Sequence, residues 1–557
     1  MVLLPSLKCV ILFSTVYSLP ITISRRGWES MSLSKPNRSV ATGTRTRAGD
    51  DVVPSSGMCV VCVQGCTGLC EVGMSAYRGA EIIYPRPFGM ITAAGDKDYP
   101  VDFSHLSIMG TAFGAYGIEP DPNVAIFPAV NIETAIGRDK GIKMKLPIVI
   151  AALGSTNVAK NNWAGIAIGA AISGIPITIG ENVCGMDEQA EFKNGRVVRS
   201  PDMELRVKLY RDWQEDGYGD VIVQANVEDT RSFVLEYVIE KLGVTSVELK
   251  WGQGAKDIGG EVKVSSIEKA LKLVERGYIV LPDPRDKSVV NAFKAGAIKE
   301  FERHSRLGMP DHESFLARVE QLRKIGAKHV FLKTGAYRPS DLAKAIKWSS
   351  EAGVDVITID GAGGGTGMSP WRMMCEWGIP TVYLASLAYQ YAKRLAEKGQ
   401  YVPDILIAGG LSLEDHIFKA LALGAPFFKG VAMARAPLCA VMVGNTLGEL
   451  ARKGELPKSI KDNYGDTIET LFVTAIQLKE KFGSEFEHIP AGAIGLFTYF
   501  QRIAQGLRQL MAGARKFSLE YLSRDDVAAL TREAAEVTGL RYVMELDAEE
   551  VERILEG

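Results

Sequence analysis

The 557-residue chain carries no strong charge of either sign: 64 Lys and Arg against 66 Asp and Glu leave a formal net charge of −2. That balance removes any whole-chain electrostatic reason to bind nucleic acid or an anionic membrane surface. The opening apolar stretch, MVLLPSLKCVILFSTVYSLP, is short and is interrupted by Pro5, Lys8 and Pro20. It is therefore not expected to span a bilayer. It also lacks the basic start and small-residue cleavage site of a secretory signal. Met31 opens the polar MSLSKPNRSVATGTRTR and is the expected true start, so residues 1–56 read as a disordered or mis-called arm. Cysteines are few. Of the eight, Cys9, Cys184, Cys375 and Cys439 are scattered through the chain, which excludes the framework of a small secreted disulfide domain. A reducing, cytoplasmic location follows as the expectation.

The other four cysteines crowd into twelve residues, CVVCVQGCTGLC, as Cys59, Cys62, Cys66 and Cys70. Four thiolates this close suit an iron–sulfur centre or a zinc ion. Reduced, unoccupied thiols are the alternative. The spacing matches no strong ferredoxin run, and iron–sulfur is the favoured reading.

From about residue 146 the chain alternates apolar runs with amphipathic stretches. The runs are LPIVIAAL (146–153), IPITIGE (175–181), DVIVQAN (220–226), SVELKWGQG (246–254), HVFLKTG (329–335), DVITIDG (355–361), TVYLAS (381–386), DILIAGG (404–410) and PFFKG (426–430). PSDLAKAIKWSSEAG (339–353) and SLEDHIFKALALGA (412–425) have helical periodicity. Continuous apolar strands separated by helices imply parallel strands with right-handed crossovers. Eight such units close a (β/α)8 TIM barrel, so one of the nine runs is an insertion or no strand at all. An open doubly wound sheet would carry its glycine fingerprint after the first strand, whereas here the glycines follow late ones. The expected organisation is a cysteine-rich segment and lead-in over 57–145, a barrel over 146–440 and a helical extension over 441–557. The charged portion 283–318 reads as an excursion beside the barrel mouth.

Barrel active sites form at the C-terminal ends of the strands, with phosphate behind strands seven and eight. DGAGGGTGMSP (360–370) packs five glycines behind a β-branched run, which suits close approach of backbone to a ligand. Gly409, Gly410 and Gly430 end the two late strands and could present N–H groups to a phosphate. The strand ends also carry Glu181, Lys250, Gln253, Lys256, Lys333 and Asp360. So cationic a mouth suits an anionic cofactor and a dicarboxylate substrate.

The motifs DGAGGGTGMSP, LKWGQGAK, IGEN, AGGLS and GVAMARAPL resemble the FMN-binding synthase domain of glutamate synthases, in particular its stand-alone archaeal-type form. The likeness runs from about residue 80 to about residue 520. It implies reductive amination of 2-oxoglutarate to L-glutamate, with hydride from reduced FMN. It further implies flavin contacts at Ala151, Ala152, Ser155, Lys250, Lys333, Asp360, Gly363, Gly364 and Gly365, with phosphate donors at Gly409, Gly410 and Gly430. Gln253 and Lys256 match the residues that bind 2-oxoglutarate, and Glu181 matches a glutamate near the ammonia. The family's glutaminase domain has no counterpart, and no NAD(P)H domain is recognisable. Ammonia and electrons are therefore expected from separate glutaminase and electron-donor subunits or ferredoxin, and homo-oligomerisation is compatible with the sequence. The family's three-cysteine iron–sulfur site retains only Cys439, so the N-terminal cysteines are the candidate replacement. The same domain type also occurs in N-methylglutamate synthase systems, where methylamine replaces ammonia. A flavin and cluster electron-transfer subunit without substrate chemistry is the reading outside catalysis, and the retained Gln253 and Lys256 weigh against it.

Overall fold

Eight parallel strands close on themselves in the order β3-β4-β5-β6-β7-β8-β1-β2. They are β1 (Ile148–Leu153), β2 (Ile177–Ile179), β3 (Val221–Ala225), β4 (Ser246–Lys250), β5 (His329–Thr334), β6 (Val356–Asp360), β7 (Asp404–Ala408) and β8 (Phe428–Met433). The computed structural model describes residues 52–53, 58–59, 93–94 and 99–557, except 255, 257–261 and 367–368. Each strand leads to a helix that packs outside the barrel: α1 (Trp163–Ile172), α2 (Pro201–Arg211), α3 (Val234–Leu242), α4 (His312–Lys324), α5 (Pro339–Ala352), α6 (Thr381–Glu397), α7 (Glu414–Gly424) and α8 (Arg435–Lys453). The architecture is a (β/α)8 TIM barrel.

Strand alternation divides the side chains between two cores. Ile148, Ile150, Val223, Leu332, Ile357 and Ile407 face outward into the large core shared with the helices. Val149, Ile222, Phe331, Val356, Leu406 and Ala432 fill the barrel interior, joined there by Ile136, Ile142 and Met144. The last three belong to an antiparallel hairpin, Thr134–Ile136 with Ile142–Met144, whose apolar residues complete this inner core. Apolar residues thus occupy both faces of the strands, which is why the runs read as continuous rather than alternating.

Of the nine apolar runs, TVYLAS is the one that is not a strand. It opens helix α6 directly after Pro380. Its apolar residues continue as Val382, Leu384, Ala385, Ala388 and Ala392, all buried, which is helical spacing. A six-residue window is too short to tell that spacing from a strand.

Between β4 and α4 the chain leaves the barrel to form a three-stranded antiparallel sheet of Val262–Val264, Ile279–Leu281 and Phe301–His304. Val264, Leu273, Tyr278, Val280 and Phe301 give this excursion its own small core. Beyond α8 the chain is mainly helical. The long α9 (Ala491–Gly513) packs against α1, α7 and α8, and Val527–Ala529 pairs with Leu106–Ile108 from the lead-in. Among the described residues no helix is long and apolar enough to cross a membrane.

Candidate functional site

The C-terminal strand ends surround a cavity of about 620 Å3, within the roughly 300–1,000 Å3 of small-molecule and cofactor pockets. Ala151 and Ala152 enter it from the end of β1, Ser155 from the loop that follows, and Glu181 from the β2 loop. Lys250, Gln253 and Lys256 line it from β4 and its loop, Lys333 from β5, and Asp360 with Gly363, Gly364 and Gly365 from β6. Gly409 and Gly410 close it after β7. The fold thus brings these residues together from six strands. Gly430 stands apart: it lies within β8, paired with Leu406, and is not among the lining residues. A Cβ there would come within 2.9 Å of the Pro147 carbonyl oxygen and 3.1 Å of Leu406 Cδ2, so its smallness serves packing inside the barrel. The side chains of Cys59, Cys62, Cys66 and Cys70 lie outside the described residues.

On one side of the cavity the polar groups form a connected set. Lys250 Nζ donates to Glu181 Oε1 at 2.6 Å and to Gln253 Oε1 at 3.0 Å. Gln253 Nε2 donates in turn to Thr366 Oγ1 at 3.3 Å. Burial alone would raise the Glu181 carboxyl, but the Lys250 ammonium and its hydrogen bond prevail and bring it down to about 2. Glu181 is therefore a carboxylate at neutral pH, an acceptor rather than a proton donor. Lys256 is only 4% exposed, its backbone bridged to that of Gln253. A side pocket of about 40 Å3 opens beside this set and shares Glu181, Lys250, Gln253 and Lys256 with it. That is room for one or two water-sized molecules.

Beneath the mouth, Lys333 Nζ lies 3.3 Å from Asp360 Oδ2. Burial acts to lower the Lys333 ammonium, yet Asp360, Glu248 and Glu181 together displace it upward, so it stays charged. Glu248, buried on β4, accepts from Gln224 Nε2 at 2.5 Å and Thr358 Oγ1 at 3.3 Å. Burial pushes its carboxyl up. Asp229 behaves similarly: burial raises it to about 7, although the backbone N–H of Asn182 donates to its Oδ2 at 2.8 Å.

The opposite side is built for an anion. Gly363, Gly409 and Gly410 all take positive φ, 116°, 118° and 86°, a region that favours glycine. Thr381, the first residue of α6, donates to the carbonyls of Gly409 at 2.7 Å and Ala362 at 3.1 Å, tying the two glycine loops together. The N-terminus of the 19-residue α8 borders the same space and has no side-chain cap. Its free N–H groups and dipole favour negative charge. Arg435, in the first turn of α8, lines the cavity there, and among the described residues no carboxylate lies within ion-pair distance of it. Glycine amides, a helix N-terminus and a guanidinium fit the phosphate of a flavin mononucleotide.

Arg435 lies within the GVAMARAPL stretch, but nothing in the local sequence marks its side chain as cavity-lining. Arg303 is buried at the cavity wall; it lies in the charged portion 283–318, which reads as an excursion beside the barrel mouth without marking any one residue as inward-facing. Asn182 and Thr366 line the cavity as well. Asn182 follows Glu181 in IGEN and has φ 65°, a backbone state to which only its residue type points.

Residues 304–444 match the conserved region in glutamate synthase. The chain is 31% identical over 189 residues to the glutamate synthase large subunit-like protein YerD of Bacillus subtilis, covering 33% of this chain and 32% of that one. It is 34% identical over 185 residues to an archaeal-type glutamate synthase (NADPH) of Dehalococcoides mccartyi, 32% of each chain. A glutamate synthase large subunit-like protein of Rhizobium meliloti aligns over 469 residues at 24% identity, 82% of this chain and 92% of that one. The chain thus matches about a third of the length of the first two relatives and most of the third. At modest identity, these matches bear out the resemblance to the FMN-binding synthase domain of glutamate synthases.

Proposed function

We propose that this chain, which carries the conserved region of glutamate synthase, is an FMN-dependent synthase domain that converts 2-oxoglutarate and ammonia to L-glutamate. The observation that carries this reading is one cavity with two chemically distinct sides. An anion cradle of glycines, α8 and Arg435 faces the set Glu181–Lys250–Gln253 with Lys256. The cradle would hold the flavin phosphate, and Lys333 with its Asp360 partner would border the isoalloxazine. Ammonia would condense with the keto carbon of 2-oxoglutarate, releasing water and leaving an imine; bound FMN, when reduced, would supply the hydride equivalent to that carbon, and a proton from solvent would complete the amine.

The chain's own residues do the rest. Lys256 and Gln253 would hold a carboxylate of the keto acid by charge-assisted hydrogen bonds. Glu181, ionised at neutral pH, would accept N–H bonds from the amine and orient it toward the keto carbon. The side pocket beside Glu181 suits a molecule the size of ammonia. Within the cavity the barrel walls would shield a hydrolysable imine from bulk water. Ammonia and electrons would come from separate glutaminase and electron-donor subunits or ferredoxin.

Purified protein is expected to be yellow and, on denaturation, to release FMN rather than FAD. Supplied with a reductant, it should form glutamate from 2-oxoglutarate and ammonium. A colourless preparation that FMN cannot reconstitute rejects this reading.

The run Cys59, Cys62, Cys66 and Cys70 would hold an iron–sulfur centre in place of the family site of which only Cys439 is retained. Closely spaced thiolates repel one another, and a metal centre relieves that repulsion. Anaerobically prepared protein should therefore contain iron and acid-labile sulfide, both lost in Cys62→Ser/Cys66→Ser with FMN still bound. Stoichiometric zinc without sulfide would make the segment a structural clasp instead.

A further inference from the structure

A histidine outside the cavity holds the loop that forms part of its anion cradle. His416, the third residue of α7, is 4% exposed and is not among the residues that line the cavity. Its Nδ1 accepts the backbone N–H groups of Ser412 and Leu413, each at 3.2 Å. We propose that His416 is a positioning residue and a proton-sensitive latch: its neutral ring holds the loop after β7 in the shape that receives the flavin phosphate, and its protonation releases that loop. The proposal rests on the function put forward above and deepens it by adding a control of the same site by pH.

The loop is short and is fixed from three helices. Gly409, Gly410, Leu411 and Ser412 all line the cavity, and α7 begins at Glu414. Thr381 of α6 donates to the Gly409 carbonyl. Tyr499 of α9 donates its hydroxyl to the Ser412 carbonyl, and His416 of α7 takes the N–H groups of Ser412 and Leu413. The loop is therefore shaped before any ligand arrives, which lowers the entropic cost of binding. Of the three side chains only an imidazole changes charge between about pH 5 and pH 8. Burial pushes the Tyr499 hydroxyl up, so it remains a donor there.

A ring nitrogen that accepts N–H bonds carries no proton, so the imidazole is neutral with its proton on Nε2. A proton added to Nδ1 would set a donor against two other donors, and both backbone N–H groups would lose their acceptor. The ring has little room to turn away, because it packs 6.1 Å from the ring of the fully buried Phe103. The loop must yield instead, and Gly409 and Gly410 give it the backbone freedom to do so. The charged and titratable groups on the elements around this corner are Glu414, Asp415 and Lys419 on α7, Asp102 and His105 in the lead-in, Tyr383 on α6, Tyr499 and Arg502 on α9, and Arg435 and Cys439 on α8. Glu414 is paired with Arg502. Lys419 donates to the Phe103 carbonyl at 2.9 Å, and burial brings its ammonium down to about 8. Below that pH it is a cation and, with the N-terminal dipole of α7, opposes protonation of His416, whereas Asp102 and Asp415 favour it.

The test is titration of FMN into the full chain stripped of flavin, followed by quenching of flavin fluorescence, at about pH 8 and about pH 5. Wild type is compared with His416→Asn, whose side-chain oxygen offers an acceptor that does not titrate, and with His416→Leu, which offers none. At the higher pH the asparagine variant should bind FMN within about threefold of wild type, and the leucine variant at least about tenfold more weakly. At the lower pH the wild-type Kd should stand at least about tenfold above that of the asparagine variant. The FMN phosphate and every other titrating group are common to both proteins, so their effects cancel in that ratio. Equal affinities of wild type and His416→Asn at the lower pH overturn the latch, and this comparison decides the matter if the leucine variant does not fold. An asparagine variant no tighter than the leucine variant at the higher pH overturns it as well, as does a leucine variant that binds FMN like wild type. Wild-type protein that binds FMN at neither pH would bring down the proposed function too, whereas normal FMN binding with no gap between wild type and variants would remove this inference alone.

Discussion

Lys256→Ala is expected to raise the 2-oxoglutarate concentration needed for half-saturation by roughly one to two decades, because a charge-assisted contact contributes about 1.5–3 kcal/mol. FMN content should hardly change. Lys256 is buried where the β4 loop turns back on itself at Gln253, whereas the cradle of Gly409, Gly410 and Arg435 comes from β7, β8 and the helix that follows. Steady-state kinetics alongside released-flavin measurement separates the two effects. Unchanged dependence on 2-oxoglutarate would remove Lys256 from the substrate site.

Glu181→Gln is expected to cost stability at neutral pH, with the cost vanishing in acid. The Glu181 carboxyl is depressed from 4.5 to about 2. At about 1.4 kcal/mol per tenfold change in proton affinity, that corresponds to about 3 kcal/mol of folding stability. The sign follows from linkage. A carboxyl depressed in the folded state contributes fully above its unfolded value, and the contribution is lost as pH falls from about 4.5 through about 2. In the variant Lys250 retains the Gln253 contact but not its counter-charge. Urea unfolding midpoints of both proteins should therefore diverge at pH 7 and converge toward pH 2. A gap of equal size at both pH values would mean that the loss comes from packing rather than from the ion pair.

Much of this molecule is legible along the chain, for identifiable reasons. Apolar runs such as IVIAAL and VITID are buried on both faces, a local signature of parallel strands. The glycine clusters mark backbone that must take positive φ or approach a neighbour closely, as at Gly409, where a Cβ would lie 2.4 Å from Thr381 Oγ1. The TVYLAS run was ambiguous because six residues do not distinguish a period of two from one of 3.6, and only the continuation to Ala392 resolves it as a helix. Gly430 carried the same compositional signal as Gly409, yet it packs against Leu406 within a strand. Glycine identity reports a need for space, not what fills it.

The sequence by itself determined the (β/α)8 class, the end of the barrel at which chemistry is expected, and most of the residues that converge there. These depend on periodicity, turn chemistry and strand-end position, which are local properties. Only the tertiary structure decided which polar residues meet: that Lys250 pairs with Glu181 across two strands, that Lys333 pairs with Asp360, and that Arg303 turns inward from a charged excursion to reach Ser155, 148 residues earlier. Those pairings follow from barrel closure and from the packing of Phe301 and Tyr278. Contacts between residues so distant in the chain leave no trace in local pattern.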